Sequence, residues 1–402
     1  MINLSVYREV KSWKKHIHAS RTVIAKNYLK LIGNVEVIGI TGSVGKTLTQ
    51  NAIASVLAQK YKTSVGEENL DPTFRIPQTI LKTKPWYQKL VLEYGVEHPG
   101  DMDHYLKIIK PKIAVVTRVT PTHTKYFKDI QGVFSEKVKL VRAVDKNGHV
   151  VLNADDRLVV KMADYTKAKI WWYGQKAKNG VKISHFVQTL KGSKFRLHYQ
   201  GQKASVTWKV VGRHQLLSAY SAATVGIVCS LTLKQIARGL AQVKTPKHRL
   251  NAITTKNISI LDDTYNASPS ASQESLATLI DLGKRKKKVA IFGEMKDLGE
   301  KSSEFHKKLG EKIAKTNINY LITIGKIAKI IGINSKKFGF PGKVIRVSNS
   351  KEAIFETKKI VTSFPKALVL VKGSRHAHLE RIIYGLLHKS TQINCYHCGQ
   401  IK

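Results

Sequence analysis

Short β-branched and aliphatic runs recur along the chain, separated by longer stretches whose apolar residues return every three or four positions. Val35, Val37, Ile38 and Ile40 make the first run, and Leu90-Val-Leu92, Ile113-Ala-Val-Val116 and Val150-Val-Leu152 repeat it. Nearly continuous apolar runs of this kind predict strands covered on both faces, as in a parallel sheet. Leu48 to Tyr61 carries Ile53, Val56 and Leu57 and holds no Gly or Pro, which predicts a helix. Residues 165–211 break differently: short runs cut by Gly174, Gly180, Gly192 and Gly201 predict an antiparallel elaboration. Gly212-Arg-His214 then opens an Ala-rich helical stretch that runs towards Cys229.

The alternation resumes beyond Thr245-Pro-Lys-His-Arg249, which reads as a linker. Ile258–Leu261, Val289–Phe292, Tyr320–Ile324 and Ala367–Val371 are predicted strands, spaced by helical patterns such as His306 to Lys315. The expected fold is therefore α/β, with a central domain over 35–245, a smaller α/β domain over 246–388 and a tail over 389–402. Ahead of them, residues 1–34 place Val6, Val10, Trp13 and Ile17 at helical spacing, with Lys11, Lys14 and Lys15 between. A helix packed on the following domain is the plainer reading, and peripheral contact with an anionic membrane surface is the alternative.

Composition narrows the class. No apolar run approaches the roughly 18 residues of a membrane span, and the N-terminus has no apolar signal-peptide core, so a cytoplasmic location is expected. Cys229, Cys395 and Cys398 make no disulfide framework; Cys229 sits in an apolar stretch, and Cys395-Tyr-His-Cys398 has the spacing of half a metal site with no second half. The balance of 69 Lys+Arg against 27 Asp+Glu, formally +42, attracts polyanions. The lysines are spread, with one dense run at 284–288 and no interleaved aromatics, which argues against a nucleic-acid binder. A general lysine bias explains the charge equally well.

Candidate chemistry starts at Thr41-Gly42-Ser43-Val44-Gly45-Lys46-Thr47, between the first predicted strand and the first predicted helix. Glycines let backbone N–H groups close on phosphate oxygens, the helix N-terminus adds partial positive charge, Lys46 reaches the terminal phosphates and Thr47 suits Mg²⁺. The two glycines stand three residues apart instead of five, and a tight turn with an exposed lysine is the alternative. Glu93 ends the second run and His123 lies in the loop after Ile113–Val116. In a parallel sheet both would sit at the edge that presents the phosphate loop, where they can converge on a metal. Alone, His123 reads as a loop histidine bonded to backbone.

Taken together, five separated segments resemble the Mur ligase family, the ATP-dependent amide-forming enzymes of peptidoglycan precursor synthesis, and in particular its D-alanyl-D-alanine-adding branch. They are Thr41–Thr47, Glu93-Tyr-Gly95, Gly212-Arg-His214, Asp262-Asp-Thr-Tyr-Asn-Ala-Ser-Pro269 and Lys372-Gly-Ser-Arg375, with Phe292–Glu300 followed by His306 as further support. The resemblance implies a central P-loop ATPase-like parallel-sheet domain and a Rossmann-like C-terminal domain, with ATP and Mg²⁺ as cofactors. It implies that Thr41, Gly42, Ser43, Gly45, Lys46, Thr47, His214, Arg249, Asp263 and Asn266 bind the nucleotide. Metal would fall to Thr47, Glu93, His123 and a carbamylated Lys137, with Lys139 as an alternative register. Lys46, His123, Lys137 and Lys372 would carry catalysis, and Asn266, Ser374 and Arg375 would meet substrate. The substrates implied are an anionic cell-wall precursor and an amino acid or dipeptide, joined through an acyl phosphate. About forty residues precede the phosphate loop, where that branch carries a uridine-nucleotide domain, so a partner chain supplying acceptor recognition is one expectation. Arg118 stands where the family usually has Asn. Rival readings are a same-fold ligase of polyglutamate or cyanophycin type, and a non-catalytic ATP- or polyanion-binding module.

Overall fold

A computed structural model describes residues 6–8, 12–67, 71–389, 393–395 and 399–401. The first apolar runs form β1 (Glu36–Thr41), β2 (Thr63–Val65), β3 (Lys89–Glu93), β4 (Ile113–Val116), β5 (His149–Asn153) and β6 (Lys169–Tyr173). They join in the order β2-β3-β1-β4-β5-β6, every pair parallel. Side chains alternate across a strand, so each face of the sheet has its own core. Ile38, Ile40, Val91, Val115 and Val151 pack with Ile53, Val56, Leu57 and Ala222 on one side. Val37, Leu90, Leu92, Val116 and Leu152 pack with Ile76, Ile80, Tyr105 and Val138 on the other. Ala25 of the N-terminal helix Ser12–Ile32 joins that second core, as the plainer reading of this segment expects.

One element differs from expectation. The antiparallel region expected from 165 begins later, because β6 is the sixth parallel strand, in register with β5. Buried Tyr173 anchors it, its hydroxyl donating to the Val116 carbonyl at 2.8 Å, and the chain turns only at Gly174. Past that turn, β7 (Lys182–Thr189), β8 (Gly192–Tyr199) and β9 (Gln202–Trp208) do form an antiparallel sheet. Phe195 and Trp208 carry it onto the first core.

The second sheet contains β10 (Asn251–Thr254), β11 (Ser259–Asp263), β12 (Lys288–Phe292), β13 (Tyr320–Ile324), β14 (Lys343–Val347) and β15 (Leu368–Lys372). Its order is β10-β11-β15-β12-β13-β14, parallel except for the edge pair β10-β11. Parallel strands send all their carboxyl ends to one edge, so each sheet offers one row of loops for chemistry. Ile393–Cys395 pairs with Gly399–Ile401, and Tyr396, His397 and Cys398 of the candidate metal half-site lie outside the described residues. Among the described residues no helix is long and apolar enough to cross a membrane.

Candidate active site

The loop after β1 is shaped by its two glycines and by the loop after β4. Gly42 has φ +145°, and a Cβ there would lie 1.9 Å from Thr117 Oγ1. Gly45, at φ +81°, turns the chain into the helix Lys46–Leu57, and nothing lies within 4 Å of its Cβ position. Ser43 N–H donates to the Arg118 carbonyl at 2.7 Å, Ser43 Oγ donates to the Thr120 carbonyl at 2.9 Å, and Thr117 Oγ1 donates to the Val44 carbonyl at 2.7 Å. The cradle is thus built before any ligand arrives.

Glu93, the last residue of the neighbouring strand β3, points into it. Thr47 donates its hydroxyl to Glu93 Oε2 at 2.9 Å, Lys46 Nζ stands 3.9 Å from Oε1, and Arg75 Nη2 stands 3.3 Å from Oε2. Burial by itself would raise the Glu93 pKa, but Arg75, Lys46 and Arg249 together with the Thr47 hydroxyl pull it down to about 2. The carboxylate is therefore ionised at any working pH. Lys46 is lowered, first by burial, with Glu93 opposing.

His123 occupies a left-handed backbone position at φ 54° in the loop after β4. Its Nδ1 is buried without a hydrogen bond, and Asp297 Oδ2 is 3.8 Å away. Burial first, then the Lys46 and Lys137 charges, lower its pKa to about 3, so the imidazole is neutral. Lys137 is 2% exposed and held well below the usual lysine range by burial, then by Lys46. Lys139, the alternative register, instead pairs with Asp103 at 2.6 Å and Glu136 at 2.7 Å.

The second sheet supplies the opposite wall. Asp263 and Lys372 end the adjacent strands β11 and β15 in register, and Lys372 Nζ donates to Asp263 Oδ2 at 2.6 Å and to the Asn266 carbonyl at 3.0 Å. Arg249 stacks 3.9 Å from the Tyr265 ring centroid. Arg375 pairs with buried Glu380 at 2.8 Å. The domains touch at several points. Arg118 ion-pairs with Glu274, whose other oxygen is 4.0 Å from His214 Nε2, and Thr124 donates to the Leu298 carbonyl at 3.1 Å. His306 holds the Phe292–Glu300 loop, accepting from Met295 N–H at 3.0 Å.

Between the walls lies one cleft of about 330 Å³. It brings together Ser43, Gly45, Lys46, Thr47, Glu93, His123, His214, Arg249, Asp263, Asn266, Lys372 and Arg375. Four of the expected site residues are not on its surface. Thr41 donates its hydroxyl to the Tyr94 carbonyl at 2.8 Å, Gly42 lies against Thr117, Ser374 Oγ is buried without a partner, and Lys137 sits behind the wall. Sequence reading passed over Asp71, Arg75, Glu97 and Glu274, all of which line the cleft. Glu97 is exposed, so water tempers its shift, yet partial burial and the Asp71 and Asp297 carboxylates push its pKa up to about 7. The only available signal was Asp71-Pro72, a helix N-cap that places Arg75 within its first turn.

Among the described residues no group of three or more His, Cys, Asp or Glu side chains could hold a metal by itself. Glu93 and Thr47 offer hard oxygens beside the phosphate cradle, and His123 offers a neutral, unpartnered nitrogen. That donor set fits a Mg²⁺ completed by phosphate oxygens and water better than a closed protein cage.

The sequence profile of the Mur ligase middle domain matches residues 40–226, and that of the Mur ligase glutamate ligase domain matches residues 248–375. The chain is 32% identical over 357 residues to the UDP-N-acetylmuramoyl-tripeptide–D-alanyl-D-alanine ligase of Buchnera aphidicola, covering 88% of this chain and 76% of that one. The MurF ligase of Thermotoga maritima, solved with ADP, superposes with a TM-score of 0.82 at 25% identity, covering 92% of this chain and 84% of that one. MurF from Acinetobacter baumannii gives a TM-score of 0.84 at 24% identity, covering 92% and 81%, and supports the fold.

Proposed function

The chain belongs to the Mur ligase family of ATP-dependent ligases, and from that premise we propose that it joins D-alanyl-D-alanine to a UDP-N-acetylmuramoyl-tripeptide. In this reading the terminal carboxylate of the tripeptide attacks the γ-phosphorus of ATP, giving an acyl phosphate and ADP. The dipeptide amine then attacks the acyl carbon, phosphate leaves, and the amine proton passes to solvent. Both steps bring anions together, so catalysis consists mainly of charge neutralisation and positioning.

The cleft is suited to that work. Lys46 and the N–H groups from Val44 to Thr47 bind the terminal phosphates, with Gly45 keeping the approach open. Glu93, Thr47 and His123 would hold Mg²⁺, which would supply further neutralisation of the transferring phosphoryl group. Lys137, whose pKa burial holds well below the usual lysine range, is suited to carbamylation, which would place a carboxylate on the metal side of the cleft. Arg249, His214, Asp263 and Asn266 border the nucleotide from the second domain, and Lys372 and Arg375 face the incoming peptide. The observation that carries this reading is the cleft itself: Lys46, Thr47 and Glu93 on one wall, Asp263 and Lys372 on the other.

Phosphate release from ATP and Mg²⁺ should require UDP-muramyl tripeptide and D-Ala-D-Ala together, and Lys46→Ala should lower it by a factor of at least 10² while the circular dichroism spectrum is unchanged. Release that needs neither substrate, or undiminished ligation in Lys46→Ala, refutes the assignment.

A further inference from the structure

Outside the cleft, the most unusual surface is the outer face of the helix Ser12–Ile32. Its inner face does ordinary work: Thr22, Ala25 and Ile32 are buried, and the Tyr28 hydroxyl donates to the Thr83 carbonyl at 2.7 Å. On the other side, Trp13, Ile17, Ile24 and Leu31 follow one another at helical spacings and are 60%, 48%, 58% and 83% exposed. A helix with one face packed on its domain has no folding reason to carry a second apolar stripe.

Charge identifies the partner. The helix holds Lys14, Lys15, Arg21, Lys26 and Lys30 and not one Asp or Glu. On a helical projection Lys14 and Arg21 lie beside the stripe, about 40–60° from Ile17, while Lys26 and Lys30 lie further round the helix, beyond Asn27 and Ser20. On the helix Asp101–Ile108, against which Ser12–Ile32 also packs, Asp101 is engaged with Arg8 and Asp103 with Lys139. A second copy seated on this stripe would bring two sets of lysines together with no carboxylate on either helix to separate them. An apolar stripe bordered by Lys14 and Arg21, on a basic helix that holds no carboxylate, fits a surface with acyl chains below and negative headgroups above.

We propose that this helix docks the enzyme on anionic phospholipid, with Trp13, Ile17, Ile24 and Leu31 entering the headgroup boundary and the adjacent Lys14 and Arg21 meeting the phosphates. Because the helix packs on the helix Pro72–Lys82, whose Pro72 and Arg75 line the cleft, docking holds the catalytic cleft close to the membrane surface. The inference is independent of which carboxylate and amine the cleft joins.

The test is flotation of the full chain with vesicles at 0.1 M salt, one set phosphatidylcholine with phosphatidylglycerol, the other phosphatidylcholine alone. The full chain should float with the anionic vesicles and remain behind with the neutral ones. Replacing Trp13, Ile17, Ile24 and Leu31 by Ser should abolish flotation, and each of Lys14 and Arg21 changed to Gln should weaken it roughly fivefold, the equivalent of about 1 kcal/mol per basic residue. All six side chains lie outside the cleft, so ATP-dependent turnover in the absence of vesicles should be unchanged. Equal flotation of wild type and the serine variant overturns the proposal. So does binding to neutral vesicles, failure to float, or a stripe-dependent dimer or RNA complex in place of vesicle binding.

Discussion

Replacing Lys372 by Met tests whether the end of β15 is a structural ion pair before it is anything else. The ammonium is 2% exposed and spends its hydrogen bonds on Asp263 Oδ2 and the Asn266 carbonyl. Met keeps the length and apolar stem of the side chain, so the change removes the charge with little loss of packing. It leaves Asp263, 13% exposed, with the Ser275 hydroxyl as its remaining side-chain donor. Breaking a buried pair in this way costs about 3–5 kcal/mol, and the residual exposure of Asp263 places this case near about 3. In a domain of this size that lowers the melting temperature on the order of 10 °C. Adding Asp263→Asn should return about half of the loss, because no charge is then stranded. The five tryptophans, at 13, 86, 171, 172 and 208, all precede the second domain. Urea unfolding of the second domain should therefore register in circular dichroism at lower urea than the tryptophan transition. A loss below about 1 kcal/mol in Lys372→Met, or no recovery in the double variant, refutes the pair as drawn. A double variant that recovers stability but not phosphate release assigns Lys372 a direct part in turnover.

Two further changes probe the first domain. Glu93 is held at about 2 against an ordinary 4.5, so its contribution is complete above pH 4.5 and disappears as pH falls towards 2. That shift amounts to about 3 kcal/mol, and Glu93→Gln should flatten this acid limb of the stability curve; an unchanged limb in denaturant titrations at several pH values sinks the idea. Gly42→Ala places a methyl 1.9 Å from Thr117 Oγ1 and should displace the loop, raising KM for ATP at least tenfold, whereas Thr117→Ala in the same chain should restore part of it. Gly45→Ala meets no atom within 4 Å and should cost only about 1 kcal/mol of backbone strain in a thermal melt, so equal damage from both alanines contradicts the steric account.

What could be read in advance follows the reach of each interaction. The phosphate loop and Glu93 are local patterns: a strand, a glycine turn and a helix in one case, an apolar run ending in a carboxylate in the other. Parallel pairing alone brings them together, since Ile40 and Glu93 are partners in register. Arg75 is invisible to such reading because its value depends on Glu93, which it meets only once the helix Pro72–Lys82 has packed on the sheet. The same holds for Arg118 and Glu274, 156 residues apart, and for Lys372 and Asp263, 109 apart. Spacing could not choose between Lys137 and Lys139, but burial does, since one turns into the protein and the other towards Asp103. The strand β6 was misassigned because glycine turns mark where a strand stops, and say nothing of the neighbour it pairs with.

The charges around the cleft form a consistent set. Glu93 is the carboxylate bonded to Thr47 of the phosphate loop, and Arg75, Lys46 and Arg249 all lower its pKa. These three cations face the place where the terminal phosphates would rest. Burial first, and then the Lys46 charge, lower the pKa of both His123 and Lys137. Deprotonation is what both need in order to bind or approach a metal, since neither an imidazolium nor an ammonium has a lone pair to offer. Burial and fixed charge thus prepare an anion site and favour the unprotonated forms of two potential ligands, and the residue that ties the two together is Lys46.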